Sequence, residues 1–181
     1  AFLRKALLDC GLDHVPIVAF STNVNADAPG FRVSGKMLRR LIMAGHYGDA
    51  LMRMLYRVRP YELEPGSAER LAERWIEKAK NNIVSGNVLR FEWNMLAMIR
   101  EFDKLPLKQE ERKPRVGVVG EILLQYHPDA NNNAVLTVEK EGGEAVSTDI
   151  TDFVLYSLYD HVFNYRHLAG PERACRDALT A

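Results

Sequence analysis

One loop of this chain gathers most of the side chains able to do chemistry. Between Gly120 and Asn133 stand a carboxylate (Glu121), a phenol (Tyr126), an imidazole (His127) and three consecutive amides (Asn131, Asn132, Asn133). A second cluster, Asp149, Thr151 and Asp152, follows within twenty residues. Such groups orient a polar ligand, and the backbone N–H of Asn132 or Asn133 at a helix start could receive an anion. A plainer reading competes: Asn and Asp cap helices, and His127-Pro128 shapes a turn. No residue is singled out as catalytic.

Other candidates are weaker. His46 and Asp49 stand three apart, as an acid–base pair on one helix would, although a surface or capping pair explains them better. Arg53, Arg57 and Arg59 could grip phosphates, yet cations also suit a helix C-terminus, where Asp49 or Glu62 could pair with them. His161 and His167 lack the carboxylate or thiolate partners of a metal site. Gly117-x-x-Gly120 is no phosphate loop, because no Gly-Lys-Ser/Thr follows. Cys10 and Cys175, the only cysteines, make neither a disulfide framework nor a CxxC knuckle, so no metal site is expected.

The elements that must position these groups follow from hydrophobic spacing. A first helix ends at Gly11, and Val15-Pro16-Ile17-Val18-Ala19-Phe20 reads as a buried strand with proline at its start. A helix over 36–56 aligns Leu41, Gly45, Gly48, Met52 and Leu55 on one side, the two glycines admitting another backbone. Arg57-Val58-Arg59-Pro60 ends it. The next helix, 67–83, presents Leu71, Trp75, Ala79 and Ile83. A third, 87–102, presents Phe91, Met95, Met98 and Phe102, with Leu89, Leu96 and Ile99 beside them, a stripe wide enough to be buried on more than one side.

After a charged linker comes a strand over 115–120, a helix over 131–141 stopped by Gly142-Gly143, and a second strand over 144–148. An aromatic helix over 152–167 follows, capped by Asp149 or Thr151, with Tyr156, Tyr159, Phe163 and Tyr165 suited to the core and to an interdomain contact. The order strand, loop, helix, strand, helix predicts parallel pairing. The expected fold is therefore α/β: a doubly wound, mainly parallel three-layer sheet of Rossmann or flavodoxin type with a helical insert. Residues 1–181 form one domain, 36–105 its insert or crossover lobe, and 114–170 its strand–loop–helix–strand–helix unit. Ligands of such sheets bind beyond the carboxyl ends of the strands, where both polar loops fall.

Composition narrows the class. The 181 residues are 47% hydrophobic and 27% charged, with 24 basic and 24 acidic side chains. Zero net charge argues against nucleic acid or an anionic membrane surface as partner. No apolar run approaches the roughly 18–20 residues of a membrane span, and the sparse cysteines suit a reducing cytoplasm. Helix-like segments at both ends point to a piece cut from a longer protein.

Several of these stretches carry a resemblance. Val118-Val119-Gly120-Glu121, Tyr126-His127-Pro128, Ala130-Asn131-Asn132-Asn133 and Thr151-Asp152-Phe153 with Tyr156 resemble the signature of acyl-CoA dehydratase activase-related proteins. Gly48-Asp49, Arg57-Val58-Arg59-Pro60-Tyr61-Glu62 and Val15-Pro16 fit the same family. The resemblance implies a multidomain chain joining an ATP-dependent activase to regions similar to 2-hydroxyacyl-CoA dehydratase subunits. There an electron is driven into an iron–sulfur cluster and water leaves by a radical route. It places this piece in the dehydratase-like portion, with the other domains as partners and acyl-CoA as a possible ligand. The iron–sulfur cluster and ATP belong to the full system only: two cysteines cannot supply the usual four cluster ligands, and no cofactor is expected here. The implied function is a non-autonomous domain that contributes a substrate or subunit interface. A nucleotide-type α/β binding domain and a structural spacer remain as alternatives.

Overall fold

The computed structural model describes residues 2–12, 14–15, 34–121 and 125–168. By its internal contacts the chain divides into Ala1–Arg39 and Arg40–Ala181. In the first unit, helix α1 (Phe2–Asp9) ends where Gly11 adopts a φ of 70° and the Leu12 N–H donates to the Leu7 carbonyl at 2.8 Å. Only glycine takes that left-handed turn without strain. The expected strand over Val15–Phe20 lies outside the described residues except for Val15. Helix α2 (Gly35–Val58) starts in this unit and continues into the second.

In the second unit α2 runs into a short 3₁₀ turn (Arg59–Tyr61), followed by α3 (Ser67–Ser85) and α4 (Val88–Asp103). Pro60 has no N–H to continue α2, so the helix stops at Val58 as its sequence requires. Asn87 caps α4 by accepting the Arg90 N–H at 3.0 Å. Leu71, Trp75 and Ala79 recur every four residues, lie on one face of α3 and are all buried. They pack with Tyr47, Leu51 and Val58 of α2 and with Met98 and Phe102 of α4.

One polar chain threads this helical core. Tyr47 donates to Asn82 at 2.8 Å and accepts from Asn94 at 2.9 Å, while Asn82 donates to the Asn87 carbonyl at 3.0 Å. Buried amides and phenols are tolerated because each has found a partner.

Strand β1 (Arg115–Val118) pairs in parallel with β2 (Glu144–Ser147), Arg115 opposite Glu144 and Val118 opposite Ser147. Helix α5 (Ala134–Lys140) connects them and α6 (Ile150–His167) follows β2. At the stop after α5, Gly142 has a φ of 88°. A Cβ on Gly143 would come within 2.9 Å of Val138 Cγ1 and 3.3 Å of Val116 Cγ2, so the turn closes on β1 only because that side chain is absent.

The expected doubly wound three-layer sheet is overturned. Among the described residues the sheet has two strands of four residues each, and β1 is largely exposed. Parallel sheets of the doubly wound kind carry buried, continuously apolar strands, whereas β1 holds an arginine and a glycine. The apolar side chains are concentrated instead on α2, α3 and α4, which bury one another; the expected insert is the principal core.

Two expectations about helix faces also fail. The buried side of α2 carries Met43, Tyr47, Leu51 and Val58, while Leu41 is exposed and a Cβ on Gly45 or Gly48 would meet nothing beyond the helix itself. On α4, Leu89, Leu96 and Ile99 face outward rather than into a second buried surface. Spacing identifies a stripe but not its boundary, and each stripe is wider than the surface its neighbours cover.

Candidate functional site

The N-terminus of α6 is the best-built polar locus of the second unit. Asp149 is its N-cap, with backbone in the extended region and Oδ1 accepting the Asp152 N–H at 2.6 Å. From α2, the buried carboxylate of Asp49 accepts the Ile150 N–H at 3.0 Å, the Thr151 N–H at 2.9 Å and the Thr151 hydroxyl at 2.5 Å. One turn further along α2, Arg53 pairs with both Asp149 and Asp152. The orphan N–H groups of the first turn are thus met by two carboxylates, and the arginine compensates their charge.

The loop before α5 is tied to the same place. Tyr126 donates to the Thr148 carbonyl at 2.6 Å, and the Gln125 amide donates to Ser147 Oγ at 2.8 Å and Thr148 Oγ1 at 2.6 Å. Burial pushes the Tyr126 phenol pKa up; the Thr148 bond opposes this, and the charges of Asp49, Asp149 and Asp152 add to it. The two polar loops therefore meet beside the end of β2.

The asparagines divide by role. Asn131 is the structural one: its Oδ1 accepts the Ala134 N–H at 3.2 Å and its Nδ2 donates to the Gln125 carbonyl at 3.2 Å. Asn132 and Asn133 have φ values of 54° and 55°, the left-handed region that asparagine tolerates better than other side-chain-bearing residues. The Asn133 N–H donates to the Pro128 carbonyl at 2.9 Å and is not turned toward a ligand. His127 is exposed, and its carbonyl accepts from Ala130 and Asn131 at 3.0 and 3.1 Å, shaping the turn. Glu121 is exposed beyond β1.

Asn132 consequently constrains backbone shape rather than capping α5. Asn132→Ala is expected to cost about 1 kcal/mol through left-handed strain, and Asn132→Gly to be neutral within about 0.5 kcal/mol. Urea unfolding of the three proteins checks this. Equal losses for both variants would mean that the side chain itself is bonded.

Of the sequence candidates, Tyr126, Asp149, Thr151 and Asp152 come together with Asn131 at their edge, whereas Glu121, His127, Asn132 and Asn133 occupy the exposed rim. Asp49 and Arg53 were missed as members of this cluster. His46 is not the partner of Asp49; its Nδ1 lies 2.9 Å from the Ile42 carbonyl of its own helix. The available signal was an aspartate and an arginine four apart on α2, on one face.

Arg59 does not reach toward a phosphate. It forks onto Glu139 at 2.7 and 2.9 Å and bonds Glu69 at 3.0 Å. Burial works against its charge, but these carboxylates outweigh it and push its pKa up. Glu62, another expected arginine partner, instead accepts the Gly66 and Ala68 N–H groups at 2.6 and 2.9 Å.

Beside the cluster a groove of about 450 Å³ runs between α2 and the sheet, lined among others by Met52, Tyr56, Arg57, Arg115 and Glu144. Glu144 is buried and accepts the Tyr61 hydroxyl at 2.8 Å, with Arg115 Nε at 3.6 Å. Burial and then the Glu144 carboxylate push the Tyr61 phenol pKa up. Among the described residues no group of three or more His, Cys, Asp or Glu side chains is placed to hold a metal. Cys10 is exposed just after α1, and Cys175 lies outside the described residues. No helix among them is long and apolar enough to cross a membrane.

No family model, curated protein or solved structure matches the chain.

Proposed function

We propose that this chain is an interface domain of a protein of the 2-hydroxyacyl-CoA dehydratase and activase kind, docking against other domains of that system through α6. One observation carries the reading. Of the eighteen residues of α6 only Val162 is buried, while Phe153, Tyr156, Tyr159, Phe163 and Tyr165 are exposed, Tyr156 and Tyr159 by 68% and 65%. Exposed aromatic side chains are the composition of interface centres, and five of them on one helix single α6 out as a contact surface. The clamp formed by Asp49, Arg53 and Asp149 holds the first turn of α6 in place and leaves its aromatic surface available. The resemblance in the Gly120–Asn133 and Thr151–Tyr156 stretches supplies the identity of the system. The groove beside Arg57 and Arg115 suits an anionic portion of its acyl-CoA.

Photo-crosslinking from p-benzoylphenylalanine at Tyr159, in the protein expressed in its native cell, tests the proposal. Crosslinked peptides identified by mass spectrometry are expected to come from activase-like or dehydratase-like sequences. Protein that stays uncrosslinked, or that crosslinks only to copies of itself, would overturn it.

A further inference from the structure

The groove between α2 and the sheet holds one buried carboxylate that the chain leaves under-bonded. The Glu144 side chain is 4% exposed, its Oε2 accepts the Tyr61 hydroxyl at 2.8 Å, and its Oε1 accepts no hydrogen bond among the described residues. Arg115 Nε stands 3.6 Å from Oε1 on a side chain that is 61% exposed. That is too long for a hydrogen bond, and an exposed cation compensates little. A carboxylate taken out of water needs both donors and a close positive charge.

The same groove carries an arginine in the converse position. Arg53 is engaged by Asp149 and Asp152, and Glu144 by Tyr61. Arg57 lies between these contacts in the chain, one helical turn past Arg53, and pairs with no carboxylate among the described residues. Met52, Val119 and Val146 add apolar walls, and the volume of about 450 Å³ is that of a small-molecule site. Gly117 lines the groove in alternation with Arg115 and Val119. A Cβ there would meet nothing within 4 Å, so the space over β1 is open to a ligand.

These two groups select the ligand. A phosphate or carboxylate would satisfy Arg57 and be repelled by Glu144, and a simple amine would do the reverse. A small zwitterion meets both. We propose that this groove binds a free amino acid with an aliphatic side chain, its carboxylate on Arg57 and its ammonium on Glu144 Oε1. Docking through α6 plays no part in this. Coenzyme A, which carries phosphates and no ammonium, is the competing occupant.

Backbone amide NMR of the 181-residue chain, titrated with four probes, provides the test. They are L-leucine, 4-methylpentanoate (leucine without its ammonium), isopentylamine (leucine without its carboxylate) and acetyl-CoA. L-leucine is expected to shift the amides of Gly117 and Ala145–Thr148, and to bind at least tenfold more tightly than either single-charge analogue. Glu144→Gln keeps an acceptor for Tyr61 and is expected to weaken leucine at least tenfold without weakening 4-methylpentanoate. Arg57→Gln should weaken leucine as much and leave isopentylamine within twofold. Gly117→Leu, which fills the groove without touching either charge, should abolish binding. Circular dichroism melting confirms that the variants fold. Absent leucine binding, equal binding of either analogue, tighter binding of acetyl-CoA, or indifference to both charge variants would each overturn the proposal. Crosslinking at Tyr159 is read separately, so failure of either proposal leaves the other standing.

Discussion

Asp49→Ala is expected to lower stability by about 3 kcal/mol and Tm by something on the order of 6–12 °C. The carboxylate is buried and takes three hydrogen bonds from Ile150 and Thr151. Its removal strands two backbone N–H groups without an acceptor, and a buried donor without a partner costs more than the bond contributed. Companion variants grade the effect. Thr151→Val removes only the hydroxyl bond and should cost about 1 kcal/mol. Asp152→Ala disturbs an exposed ion pair with Arg53 and should stay below about 1 kcal/mol. Amide exchange should accelerate at Ile150–Asp152 in Asp49→Ala, because the first turn of α6 loses its acceptor. If Asp49→Ala and Asp152→Ala melt alike, Asp49 does not hold α6.

The two tryptophans should behave oppositely. Trp75→Ala is expected to cost about 3–5 kcal/mol, since the ring is 1% exposed at the centre of the α2–α3–α4 core. The loss combines the transfer of a large apolar surface, a cavity that the surrounding helices cannot fully close, and the indole bond to Glu101. Trp93, on the outer side of α4, is 71% exposed, and Trp93→Ala should stay within about 0.5 kcal/mol. Urea unfolding followed by far-ultraviolet circular dichroism reads both without relying on tryptophan fluorescence. Similar midpoints for the two variants would show that the helical core is placed wrongly.

Much of the local structure was legible. Pro60 had to end α2, the four-residue recurrence of Leu71, Trp75 and Ala79 had to bury one side of α3, and the helix-containing crossover between β1 and β2 implied the parallel pairing that is observed. Asp149 was one of two foreseen caps of α6. The candidate site was legible only in part. Asp149, Thr151, Asp152 and Tyr126 do converge, but the residues that gather them, Asp49 and Arg53, stand roughly a hundred positions away, where local pattern offers no reason to join them.

The sequence alone determined where helices start and stop, because caps, glycine turns and proline act within a few residues and their physics is local. It did not determine that Asn132 and Asn133 precede α5: the expected start at 131 gives way to Ala134, with both asparagines in the left-handed region that asparagine readily enters. Which stripe became core was decided by tertiary structure. Strands as short as Arg115–Val118 read the same whether a sheet is the centre of a fold or an appendage to a helical core. The outcome depended on how much apolar area α2, α3 and α4 could bury against one another. The fate of the polar groups was decided at the same level. Whether a carboxylate such as Asp49 faces a ligand or closes the end of a distant helix depends on which unmatched N–H groups the finished fold brings to it.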